Sequence, residues 1–238
     1  MNLLELESLT KRFDGLIANE NVNFKLSKGE IQSIIGPNGA GKTTLISMIS
    51  GHLAPSEGRI LFEQQDITRL SVEQRGRLGI IRKFQTPSVF LGLNVYDNIE
   101  LASIAGGVRR KQLSKEVSAV FDLIGLGDQR FQLASTLSHG HRQWLEIGLL
   151  LAAQAKLLLL DEPTAGMTVE ETNATVLLIQ NLTRNLGLSA IVIEHDINFI
   201  KNLKAPVTVL HLGKVFSQGS FQEIANNPSV KSIYLGTE

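Results

Sequence analysis

Apolar and polar positions alternate from Leu3 to Phe13 and again from Val22 to Leu26, the period-two pattern of half-buried strands. Glu30 to Ile35 is a short apolar stretch running into a glycine-rich segment, which predicts a strand followed by a turn. The spacing from Thr43 to Ile49 then predicts a helix closed by Gly51. Ser56-Glu57-Gly58 marks a turn ahead of a strand at Arg59 to Phe62. From roughly residue 86 to 155 the period changes, and Val95–Ala105, Lys111–Ile124 and Arg142–Ala153 carry helical spacing. Lys156 to Leu160, wholly apolar after its first residue, is of strand length and has the pattern of a parallel strand covered on both faces. A helix over Glu170–Leu186, a strand over Ala190–Ile193, a short helix and strands at Val207–His211 and Lys214–Ser217 complete the order. That order predicts an α/β core interrupted by a mostly helical insertion.

Composition narrows the class. The chain has 238 residues, 43% hydrophobic and 19% charged, enough apolar material for one large core and too much for intrinsic disorder. Lys+Arg and Asp+Glu balance at 23 each. Zero net charge argues against nucleic acid as the main partner, because phosphate binding over a wide face shows as a basic excess. There is no cysteine, so disulfides, thiol nucleophiles and cysteine-ligated metals are excluded. The first residues show no basic stretch followed by an apolar run. The greasiest stretch, Ile147 to Leu160, is broken by Gln154 and Lys156 and falls short of the ~18 apolar residues of a spanning helix.

Two segments carry chemistry. Gly36-Pro37-Asn38-Gly39-Ala40-Gly41-Lys42-Thr43-Thr44 fits G-x-x-x-x-G-K-[ST] between a predicted strand and a predicted helix. Glycines let the backbone wrap an anion so that several N–H groups converge on it at the positive end of a helix. Lys42 supplies a point charge for the β- and γ-phosphate oxygens, and the Thr43 hydroxyl is a hard oxygen ligand for Mg²⁺. This pattern predicts binding of a nucleoside triphosphate. The apolar strand ending in Asp161-Glu162-Pro163 would place Asp161 near Mg²⁺ and Glu162 where it can polarise an attacking water.

With these residues the chain resembles the ATP-binding subunits of ABC transporters over nearly its whole length. The resemblance implies a P-loop NTPase core with an N-terminal antiparallel β subdomain. It further implies a helical subdomain inserted at about 86–155, all within one ATPase domain spanning 1–238. It assigns ATP hydrolysis, with Glu162 as catalytic base, His195 as the switch histidine at the γ-phosphate, and Gln85 reaching Mg²⁺ and the attacking water. Asp161 becomes the acidic Mg²⁺ partner, and Phe13 the ring against adenine. Leu137-Ser138-His139-Gly140-His141 occupies the signature position, where Ser138 and Gly140 would hold the γ-phosphate of ATP bound on a facing subunit. His52 and His211 match no motif and are read as structural.

Two departures stand out. His139 and His141 replace the first glycine and the glutamine of the usual LSGGQ signature. Thr168 ends the D-loop, Ala165-Gly166-Met167-Thr168, where many members have Asp. Lys42, Glu162 and His195 are all present, so hydrolysis is expected to survive. The family pattern implies a second ATPase subunit, two membrane permeases and a periplasmic solute-binding protein. It puts the chain on the cytoplasmic face of the membrane. Phe84 to Tyr96, with Val89, Phe90, Leu91 and Leu93 close together, reads as a groove for a cytoplasmic helix of a membrane partner. The Phe13-Asp14-Gly15-Leu16 run, the 84–90 block and the Ser138-His139-Gly140 signature resemble the branched-chain amino acid and urea importers. Among these the urea-type ATPase is nearest. Import of urea or a short amide is therefore the expectation, with import of branched-chain amino acids as the alternative and a soluble ABC ATPase outside transport behind both.

Overall fold

The computed structural model describes residues 2–83 and 89–235. The chain opens with β1 (Asn2–Phe13), β2 (Leu16–Ser27) and β3 (Ile31–Ile35), then α1 (Lys42–Ser50), β4 (Glu57–Phe62), β5 (Gln65–Asp66), α2 (Val72–Arg77) and β6 (Ile80–Arg82). Three helices follow: α3 (Val95–Ala105), α4 (Leu113–Ile124) and α5 (His139–Ala152). The return is β7 (Leu157–Asp161), α6 (Val169–Leu186), β8 (Ser189–Ile193), α7 (Ile197–Leu203), β9 (Val207–His211), β10 (Lys214–Gly219), α8 (Phe221–Asn226) and α9 (Pro228–Leu235).

One sheet is four-stranded and antiparallel, in the order β2-β1-β4-β5. Asp14 and Gly15 join its first hairpin with φ of 32° and 93°, the paired positive angles that a tight two-residue turn demands. The other sheet is six-stranded, β10-β9-β3-β8-β7-β6. It is parallel except for β10, which runs antiparallel to β9.

Strand β7 shows why its sequence has no polar residue before Asp161. Leu157 and Leu159 join a core shared with the antiparallel sheet and α1, whereas Leu158 and Leu160 join the core beneath the helices. Neighbouring β8 splits the same way, Ile191 and Ile193 to the first core and Ala190 and Val192 to the second. Each strand feeds both layers by its own pleat. Helix α1 lies between the sheets with Leu45, Ile46, Met48 and Ile49 at 0% exposure, and Lys42, Ser47 and Ser50 are buried with them.

The structure adjusts several expected boundaries. Strand β2 begins at Leu16, not Val22; register shifts in its pairing with β1 break the alternation that would have revealed its first half. Helix α5 begins at His139, not Arg142, because the Ser138 hydroxyl accepts from the His141 amide at 3.2 Å and caps it. Strand β4 starts at Glu57 and α4 at Leu113. Helices α2 and α8 are short and rest on capping boxes, Ser71 with Gln74 and Ser220 with Glu223, which carry no helical period. Among the described residues no helix is long and apolar enough to cross a membrane.

Candidate nucleotide site

The loop from Gly36 to Gly41 joins β3 to α1 at the C-terminal edge of the parallel strands, where ligands of open α/β sheets bind. Its tightness is steric. A Cβ on Gly36 would lie 2.2 Å from the Leu210 carbonyl oxygen, and one on Gly41 would lie 2.4 Å from that of Ala18. Gly41 also sits at φ 96° as the N-terminal boundary of α1, with no side-chain cap. The first amides of α1 therefore keep their donors for an anion.

Lys42 is buried, and its ammonium donates to the Gly36 and Pro37 carbonyls at 2.7 and 3.0 Å. Burial lowers its pKa, opposed by the carboxylates of Glu162 and Asp161. At the other end of α1 the Arg75 guanidinium, 1% exposed, donates to Met48 O at 2.5 Å and Ile49 O at 2.8 Å. It also reaches Leu70 O and Thr68 O. Burial brings Arg75 down to about 10, still cationic at neutral pH, so it neutralises the negative end of the phosphate-loop helix.

Asp161 ends β7 and Glu162 follows at φ 49°, its amide donating to Ile193 O at 2.9 Å. That left-handed turn, unusual for a glutamate, swings the side chain to 3.3 Å from His195 Nε2. Arg82 donates to Asp161 Oδ2 at 3.2 Å and to Ser47 Oγ at 2.8 Å. Burial raises the Asp161 pKa, against the pull of Arg82. Glu194 fixes the turn from behind: Oε1 accepts from Thr164 N and Oγ1 at 3.0 and 2.5 Å, and Oε2 from the His195 amide at 3.1 Å.

The phosphate loop and the end of β7 border one cleft of about 360 Å³. Asn38, Gly39, Ala40, Gly41, Lys42, Thr43 and Thr44 line it together with Asp161, Glu162, His195 and Phe13. Gly36 and Pro37 stand behind it, holding Lys42. Leu16 and Ile17, to which the sequence assigned no part in the site, line the cleft together with Phe13. The Lys11 ammonium lies 4.9 Å from the centre of the Phe13 ring. Gln85 lies outside the described residues. Ser138 and Gly140 are not among the residues lining the cleft.

The donor set suits a small hard cation: the Thr43 hydroxyl and the Asp161 carboxylate are both oxygens at the cleft. Among the described residues no group of three or more His, Cys, Asp or Glu could hold a metal alone. A cation here would take its remaining oxygens from the nucleotide and water.

A family model described as ABC transporter matches residues 19–165. The LivG high-affinity branched-chain amino acid transport ATP-binding protein of Escherichia coli K12 is 33% identical, over 98% of both chains. The chain belongs to the ABC transporter family. A probable branched-chain amino acid transport ATP-binding protein LivG of Archaeoglobus fulgidus is 32% identical over 100% of this chain and 97% of its own. The lipopolysaccharide export ATP-binding protein LptB of Acidithiobacillus ferridurans is 34% identical over 99% and 98%. A nucleotide-free ATP-binding cassette from an ABC transporter superposes over both full chains with TM-score 0.90 at 28% identity. Another cassette, in its ADP conformation, gives 0.89, also over both full chains. This ABC subunit therefore binds nucleotide and hydrolyses ATP. None of these relatives is named for urea.

Proposed function

We propose that this ABC ATPase powers import of branched-chain amino acids. The carrying observation is its full-length similarity to the two LivG proteins, both named for that transport. This replaces urea or a short amide as the favoured solute. In this reading the chain pairs with a second ATPase subunit and with two membrane permeases served by a periplasmic binding protein. It sits peripherally on the cytoplasmic face of the membrane. The permease contact includes Phe90 and Leu91, which are 61% and 43% exposed beside buried Val89. Residues 86–155 act as the helical subdomain of a single ATPase domain.

The loop amides and Lys42 hold the phosphates, and Phe13 with Leu16 and Ile17 covers the base. Mg²⁺, held by Thr43, Asp161 and Gln85, would shield the negative charge of the phosphoryl oxygens. Glu162 accepts the proton of the attacking water, and His195 stands at the γ-phosphate within reach of that carboxylate. The signature of the facing subunit, Ser138 and Gly140, completes the site. Closed pairing is then favoured by ATP and lost on hydrolysis, because ATP binds one arrangement better than the other.

Solute uptake by the complex reconstituted in vesicles tests the assignment. ATP-dependent leucine uptake that excess urea leaves unaffected is expected. Urea accumulation without leucine accumulation would overturn it.

A further inference from the structure

We propose that His139 is a positioning residue that locks the signature turn to the D-loop of its own subunit. The proposal rests on the reading of Ser138 and Gly140 as phosphate-holding groups. At the position where the usual signature has glycine, the His139 Nε2 lies 2.8 Å from the Ala165 carbonyl oxygen. A carbonyl only accepts, so Nε2 carries the proton and donates. The ring also covers Gly166: a Cβ built there would lie 3.2 Å from Nε2 and 3.4 Å from Cδ2. Gly166 has φ 76°, so this close approach and its backbone both favour a residue without a side chain.

A second contact joins the signature to the start of α6, just after the D-loop. Gly140 faces Glu171, and a Cβ at 140 would lie 2.2 Å from Glu171 Oε1. Glu171 is the third residue of α6 and forms a capping box with Thr168, the D-loop departure. Two of the residues that depart from the family pattern, His139 and Thr168, thus serve one packed unit. Thr168 caps α6 and sets the Glu171 carboxylate, Gly140 packs against it, and His139 ties Ala165.

The link continues into the catalytic cleft. Ala165 N donates to Glu162 O at 3.3 Å, and Thr164 is held twice by Glu194, which also accepts from the His195 amide. A displacement of the signature in this subunit is passed through these hydrogen bonds to the turn bearing Glu162 and His195. A glycine at 139 has no side chain to make this connection.

Hydrogen–deuterium exchange on the full-length protein without nucleotide tests the lock directly. In His139→Ala the amides of residues 165–168 should exchange about fivefold faster, the factor one hydrogen bond of ordinary net strength contributes. His139→Gln keeps an N–H donor near the Nε2 position and should restore slow exchange. In ATPase assays His139→Ala should lower kcat with KM within about twofold, and His139→Gln should recover most of it. Unchanged exchange in His139→Ala would overturn the proposal, as would a Gln variant that behaves like Ala. Ser138→Ala separates the two readings. Wild-type turnover and ATP-driven pairing in that variant would sink the facing-subunit role and leave the exchange result standing.

Discussion

Lys83 and Glu146 form an ion pair at 3.3 Å with side chains only 5% and 7% exposed. Attraction at that separation is worth about 5 kcal/mol at an effective dielectric of ~20, while burying each ion costs several kcal/mol. Burial does not lose entirely to the pairing: the Glu146 pKa is raised by desolvation even with Lys83, His139 and Arg142 nearby. The pair is thus near balance, and either half alone is a liability. Lys83→Met should destabilise the protein by about 3–5 kcal/mol near neutral pH. Adding Glu146→Leu should return stability to within about 1 kcal/mol of wild type or beyond it. The pH dependence has a defined sign. A carboxyl raised above its ordinary 4.5 contributes most favourably below that value and loses its contribution as pH rises through the folded pKa. Lys83→Met raises that pKa further, so its deficit should shrink in mild acid. Urea denaturation followed by Trp144 measures this, since the indole on α5 donates to Thr175 Oγ1 at 2.9 Å and loses that setting on unfolding. A Lys83→Met cost below about 1 kcal/mol, or one independent of pH, would refute the reasoning.

Glu162→Gln should cut kcat by about 10²–10⁴ while ATP still binds, since an amide cannot take up the proton of water; single-turnover and filter-binding assays separate the two. Arg75→Met strips a buried donor from several carbonyls, including Met48 O and Ile49 O. It should cost at least about 3 kcal/mol in denaturant titrations. Gly41→Ala sets a methyl against the Ala18 carbonyl at φ 96° and should weaken ATP binding at least tenfold, roughly the cost of such strain, as read by calorimetric titration.

The phosphate loop and acidic strand end were legible because each couples a local pattern to a fixed chemistry. The leucine run after Lys156 became an interior strand of the larger sheet, and the carboxylates at its end came to the cleft. What stayed hidden depends on distant pairing. Arg75 belongs to no motif, yet its guanidinium closes α1 from the neighbouring helix α2. Glu194 sits beside His195 in sequence, but its bonds to Thr164 exist only because β7 and β8 run side by side. Leu16 and Ile17 line the cleft from a strand half whose irregular register masks any period.

Arg82 and Lys83 show how charge, not apolar pattern, can fix a strand's place. Strand β6 is short and on the sheet edge, so its leucine-free, partly polar sequence specifies register weakly. The Lys83 amide extends its ladder by donating to Leu159 O at 2.9 Å, and consecutive side chains in a strand point to opposite faces. Arg82 accordingly meets Ser47 of α1 and Asp161, while Lys83 meets Glu146 of α5. A slip by one residue would turn each cation toward the other's layer, away from its carboxylate and into apolar packing. The cost of an unpaired buried charge exceeds anything a short edge strand gains from its backbone bonds. One register therefore sets both the acid beside Lys42 and the helix that carries the signature, and the two layers of the molecule are aligned by the same adjacent cations.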